Sequence, residues 1–206
     1  MEVILPIIII IVFAVKFLNW TERKPLNKSQ GQQVQNPADA GSRNDFLEIS
    51  LKLISSLNSH NIKYTVSHEG TLYHMLFKVE NTEVDIYTRI EKEGSFVKFT
   101  AVLYYEIPDS KMIKVSELVT RLNEDLILGH FNLYYDLRML VYDTVVMLED
   151  VEMTTFMLES NIDHCMKIPG KYGPLFKRVI ENDDEPLLVV IDFYNQPGTN
   201  INSSAG

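Results

Sequence analysis

The chain has 206 residues, 46% hydrophobic and 23% charged, enough for one sizeable core. Its single cysteine, Cys165, excludes an intrachain disulfide and a Cys-rich zinc site and allows a reducing compartment. Residues 1–44 carry five basic and three acidic side chains. The remainder carries 14 and 25, a net −11 that repels a phosphate backbone and excludes nucleic acid as an expected partner.

VILPIIIIIVFAV, residues 3–15, carries no charge. As a helix it rises about 20 Å, short of the ~30 Å hydrocarbon core of a bilayer. Extension through Lys16, Phe17, Leu18, Asn19 and Trp20 brings it to about 27 Å, with Lys16 snorkelling and Trp20 suited to the headgroup layer. A cleaved signal peptide would need a basic start and a small-x-small site. Glu2 precedes the run, and Phe-Ala-Val-Lys-Phe-Leu-Asn-Trp closes it without such a site. The sequence favours a retained anchor, 1–20, over a cleaved signal or an interfacial helix. Lys16, Arg23, Lys24 and Lys28 all follow the apolar run, which places the C-terminal side in the cytoplasm. Residues 21–44, rich in Gln, Asn, Ser, Gly and Pro, read as a flexible linker, and 195–206 as a disordered tail.

Between them, 45–194 reads as one α+β domain. Asn44 is a plausible N-cap for a helix with Phe46, Leu47, Leu51, Ile54 and Leu57 near one face. Short strands follow as an antiparallel meander: IKYTVS, TLYHMLFKVE after Glu69-Gly70, EVDIYTRI, and SFVKFTAVLYYEI after Glu93-Gly94. Tyr73, Met75, Phe77 and Val79 share one parity, as do Val84, Ile86 and Ile90. Pro108-Asp109 opens a helix carrying Val115, Leu118, Val119, Leu122 and Leu126, and Gly129 is expected at its positive-φ C′ position. A hairpin turned near Asp136-Leu137 follows. A helix from Thr154 to Met166 is expected to break at Pro169-Gly170, with Pro174 starting a short final helix.

Across 107–180 the sequence resembles the YbjN-domain family, bacterial proteins described as sensory-transduction regulators. Leu122-Asn123, Leu128-Gly129-His130-Phe131, the Met139–Leu148 strand and Tyr172-Gly173-Pro174 with Val179-Ile180 carry the likeness. Asn61-Ile62-Lys63-Tyr64 and the earlier strands fit it more loosely. The resemblance implies a type III secretion chaperone-like fold in the order helix, strand meander, helix, β-hairpin, helices, here preceded by one transmembrane helix. It implies a binding role and supplies no active site.

A search for chemistry supports that expectation. Asp163, His164 and Cys165 are adjacent on a helix, about 100° apart, and cannot converge on one ligand. His74 reads as an ordinary surface or second-face residue, and His60, His68 and His130 sit at element ends. Residues 169–174 lack phosphate-loop spacing. The acidic run Glu181, Asp183, Asp184, Glu185 lacks the alternation of a calcium loop and reads as a solvated turn. No cofactor, metal or catalytic residue is expected.

Leu72, Leu76, Val102 and Tyr104 have the strand parity opposite the core residues. Either the final helix and the PLLVVIDFY segment, 186–194, cover that face, or the face binds a partner. The expected function is a non-enzymatic, single-pass membrane-anchored cytoplasmic domain that binds a protein, as a chaperone-like or regulatory adaptor, with a homodimer left open. The alternative is a regulatory domain that senses a small ligand.

Overall fold

Helix α1, Ala38–Ser59, opens the computed structural model, which describes residues 38–79, 82–91, 95–148 and 151–196. The expected anchor, 1–20, lies outside the described residues, and no helix among the described residues is long and apolar enough to cross a membrane. Most of the expected tail, 197–206, also lies outside them. α1 starts inside the stretch expected as linker, and Asn44, expected as its N-cap, lies within it. Ile49, Leu53 and Leu57 then bury its inner side. Asn61, at φ 55°, ends it: Ile62 N donates to Leu57 O at 2.9 Å and Asn61 N to Asn58 O at 3.1 Å. That pair of bonds is a Schellman motif with Asn in the left-handed position.

Strands β1 (Tyr64–Ser67), β2 (Leu72–Val79), β3 (Thr82–Ile90) and β4 (Phe96–Leu103) form the expected meander. After α2 (Met112–Asn123), the hairpin strands β5 (His130–Tyr134) and β6 (Met139–Met147) join the same sheet. All pairs are antiparallel and the order is β1-β2-β3-β4-β6-β5. α3 (Thr155–Glu181) and α4 (Pro186–Asn195) complete the described elements. One parity of the strands (Met75, Ile86, Phe99, Tyr142 and Phe131 among them) packs against the buried residues of all four helices.

The expected break at Pro169-Gly170 does not occur: both prolines lie inside the single helix α3. Ile162, Cys165, Tyr172, Phe176 and Val179 form one continuous buried stripe, whose packing offsets the roughly 3 kcal/mol that an internal proline costs. The glycines bring the helix close to its supports. A Cβ on Gly170 would stand 2.8 Å from Val79 Cγ1, and one on Gly173 would stand 3.1 Å from Tyr105 Oη. Tyr105 donates a hydrogen bond to Gly173 O at 2.9 Å.

Gly129 has the expected positive φ, +72°, but is not the C′ residue of α2, which ends at Asn123. A Cβ there would stand 2.5 Å from Tyr142 Oη and 2.7 Å from Asp143 O, so glycine serves close approach as well as backbone shape. Asn123 does different work. Its Nδ2 donates to Phe131 O at 2.9 Å and its Oδ1 accepts from Phe131 N at 2.7 Å. One side-chain amide thus satisfies both outward backbone groups at Phe131, on the β5 edge.

Candidate functional site

The PLLVVIDFY segment is helix α4, with Val189 and Phe193 buried in the helix-side core and the Phe193 ring 5.3 Å from that of Tyr172. Val189 and Phe193 bury by packing against α2 and α3, so among the described residues this segment does not cover the second sheet face. Leu72, Leu76, Val102 and Tyr104 do share that face. Leu76, Asp85, Val102, Val141 and Asn132 form one cross-strand row on it. Their exposure differs: Leu76 is 58% and Tyr104 40% exposed, whereas Leu72 and Val102 are buried, at 6% and 3%.

A second, polar row runs beside the first. Thr65, His74, Tyr87, Thr100, Asp143 and His130 are successive register partners across all six strands. His74 Nε2 hydrogen-bonds Asp85, and its ring stacks on Tyr87 with centroids 4.7 Å apart. The half-exposed Tyr104 turns its hydroxyl inward to Asp85 and Tyr87. Burial raises its pKa, and the hydrogen bond to the Asp85 carboxylate raises it further. Burial, reinforced by Asp85, pushes the Tyr87 hydroxyl up to about 12.

Asp143, 1% exposed, forms the other half of the network. Its Oδ1 accepts from Thr100 Oγ1 at 2.5 Å and its Oδ2 from Asn132 Nδ2 at 2.8 Å. Lys98 Nζ lies 3.0 Å from Oδ2, and Tyr134 donates to it at 3.4 Å. Burial, then the Asp143 charge, raises the Tyr134 pKa. Tyr104 and Tyr134 therefore reach back along the sheet to one buried carboxylate each, and the Val102–Val141 pair lies between those carboxylates. The face has a stiff, hydrogen-bonded floor with an apolar periphery: Leu76, Val145 and Met147 are exposed there.

Sequence reasoning gave His74 an ordinary role and passed over Asp85, Tyr87, Thr100 and Asp143. The signal was a carboxylate within strands otherwise apolar or β-branched, EVDIYTRI and MLVYDTVVM, where an unpartnered charge is costly. The other chemical candidates fall where expected or acquire a structural explanation. Cys165 is buried, and burial pushes its thiol up to about 12. His164 Nδ1 bonds the Ser160 carbonyl of its own helix. Among the described residues no group of three or more His, Cys, Asp or Glu side chains is arranged to hold a metal ion.

The acidic run is a set of ion pairs rather than a merely solvated turn. Asp183 pairs with Lys111 and, at 2.8 Å, with Lys114. Glu185 meets Lys114 at 2.8 Å, and Asp184 meets Arg178 at 2.7 Å. These contacts tie the α3–α4 turn to the start of α2.

No curated protein matches the chain. The crystal structure of YbjN from E. coli is similar to it with a TM-score of 0.41 and 13% identity, over 59% of this chain and 90% of that one. The family model YbjN, described as "Putative bacterial sensory transduction regulator", matches residues 52–162, more than half of the sequence, and the chain belongs to that family.

Proposed function

We propose that this chain is a regulatory adaptor that binds a protein partner on the open face of its sheet, without catalysing a reaction. Residues 1–20 hold it in the cell membrane with the domain in the cytoplasm. The observation that carries the reading is the sheet face that the described residues leave open: all four described helices serve the opposite side, and Leu76, Tyr104, Val145 and Met147 stay exposed. Asp85 and Asp143 already have internal partners, so the polar row reads as a rigid floor beneath a binding surface. That favours a protein over a small ligand, which would need polar groups left to recognise it. Tethering raises the effective concentration of the domain for partners at the membrane, and the basic flank after residue 15 sets the orientation.

Site-specific photocrosslinking in intact bacteria tests both parts. A crosslinker at Leu76 should trap a discrete protein adduct. One at Ile113, 80% exposed on α2, should not. Adducts at Ile113 with none at Leu76 would discard the open face. A reporter fused after Gly206 should show cytoplasmic activity, and periplasmic activity would reverse the orientation.

A further inference from the structure

β6 is longer than its outer neighbour. It pairs with β4 from Met147 back to Leu140, but with β5 only over 139–143. The direction of its backbone groups follows from two contacts. Because the Phe131 N–H and C=O both go to Asn123, Phe131 and Tyr142 are a non-hydrogen-bonded pair. Tyr142, Thr144 and Val146 therefore turn their backbone groups to β4. The Leu148 N–H continues that parity by donating to Ser95 O at 3.0 Å.

Val145 and Met147 point the other way, to the side β5 has left. Among the described residues neither makes a backbone hydrogen bond there. Gly129, at φ +72°, bends the chain just before β5 begins.

Exposed strand edges are usually blunted by charge, proline or a covering element. Asn123 does this at Phe131. Residues 144–148, TVVML, carry neither charge nor proline, and the Val145 and Met147 side chains are 44% and 55% exposed.

We propose that this bare half-edge of β6 receives an extended segment of the partner protein, which adds as an antiparallel strand collinear with β5. The inference rests on the protein-binding reading and deepens it, since Val145 and Met147 also border the open face. Strand addition supplies the acceptor and donor that these backbone groups lack among the described residues, while alternate side chains of the segment lie against Val145 and Met147. The domain's 14 basic and 25 acidic residues select a segment that is uncharged or basic. A second copy of this chain is the poorer occupant. Two copies would each bring a net −11 to the contact and repel one another.

The test uses the full chain in detergent and a binder selected from a displayed library of random dodecapeptides. In the free chain the Val145 and Met147 amides should exchange with deuterium at least ~100-fold faster than those of Thr144 and Val146. Binding should remove the difference. Val145→Pro deletes one outward N–H without touching the β4 ladder. It should weaken the peptide at least ~10-fold, whereas Val145→Thr, which keeps the N–H, should restore affinity. Met147→Pro repeats the test nearer the strand end should the first variant not fold.

Slow exchange in the free chain, protection that grows with protein concentration, failure to select any binder, or unchanged affinity in both proline variants would each overturn the proposal. If Leu76→Asp abolishes binding and the proline variants do not, the open face stands and the strand slot falls. If none of the three affects binding, both fall.

Discussion

The two faces of the sheet bury side chains by different means. The helix side is apolar and covered by separate elements: Phe99, Met75, Ile86 and Tyr142 meet residues of all four helices. Among the described residues, the open side reaches comparable burial at Val102, Val141 and Asp143 through its own long side chains and a hydrogen-bonded row. One solution needs a partner layer for stability. The other leaves a face that is structurally finished at its centre and apolar at its margin, and such a face can be given to a partner without loosening the fold.

The largest effect should come from placing a charge in each part of that open face. Val102→Asp buries a carboxylate in a site 3% exposed and should cost about 4 kcal/mol or more, enough to unfold a marginal domain. Leu76→Asp, on the same row but exposed, should cost no more than about 1 kcal/mol, most of it from facing Asp85 across the strands. Similar circular dichroism melts for the two would erase the distinction between centre and margin.

Gly129 tests the helix-side joint. Gly129→Val meets both a left-handed φ and contacts of 2.5–2.7 Å, and should cost about 2–4 kcal/mol. Asn tolerates the φ but not the contacts, so Gly129→Asn should be nearly as harmful. A mild Asn variant in urea titrations would show that backbone shape alone sets the requirement.

Asp143→Asn probes the polar floor. It keeps the shape but places an amide NH₂ against donors from Thr100, Asn132 or Lys98. Allowing for the partial exposure of Lys98, the cost should be about 1–3 kcal/mol. Neutral behaviour would mean that the row contributes shape without stability.

The smallest effect lies away from both faces. Hydrogen bonds from Lys111 and Lys114 hold the exposed Asp183 carboxyl down at about 2, from 3.8. Its contribution is therefore complete above the unfolded value and fades as pH falls through the folded one. Melting temperatures of the native chain and Asp183→Asn should differ slightly at pH 5 and converge near pH 2. A gap that persists at pH 2 would assign the effect to something other than these ion pairs.

Much of this was legible before any coordinates. Alternation in EVDIYTRI and SFVKFTAVL gave the strands and their parity, because a half-buried strand exposes every second side chain to a different medium. Parity also placed Leu72, Leu76, Val102 and Tyr104 on one face, and the family likeness agreed with the family the model matches. Where local signals mislead, tertiary packing had overridden them. Pro169 and Pro174 break helices in isolation, yet a buried stripe on both sides of them kept α3 whole.

By itself, then, the sequence determined what is written in periodicity: an α+β order, a sheet with one apolar and one mixed face, and a chain with an apolar start and an acidic remainder. Tertiary structure alone decided that Val102 and Val141 of the mixed face are hidden, because that depends on Tyr104 and Tyr134 reaching across strands to Asp85 and Asp143. It also decided that α4 sits on the helix side and that β6 outruns β5. Each of these depends on residues far apart in the chain, and a one-dimensional pattern carries no distance between them.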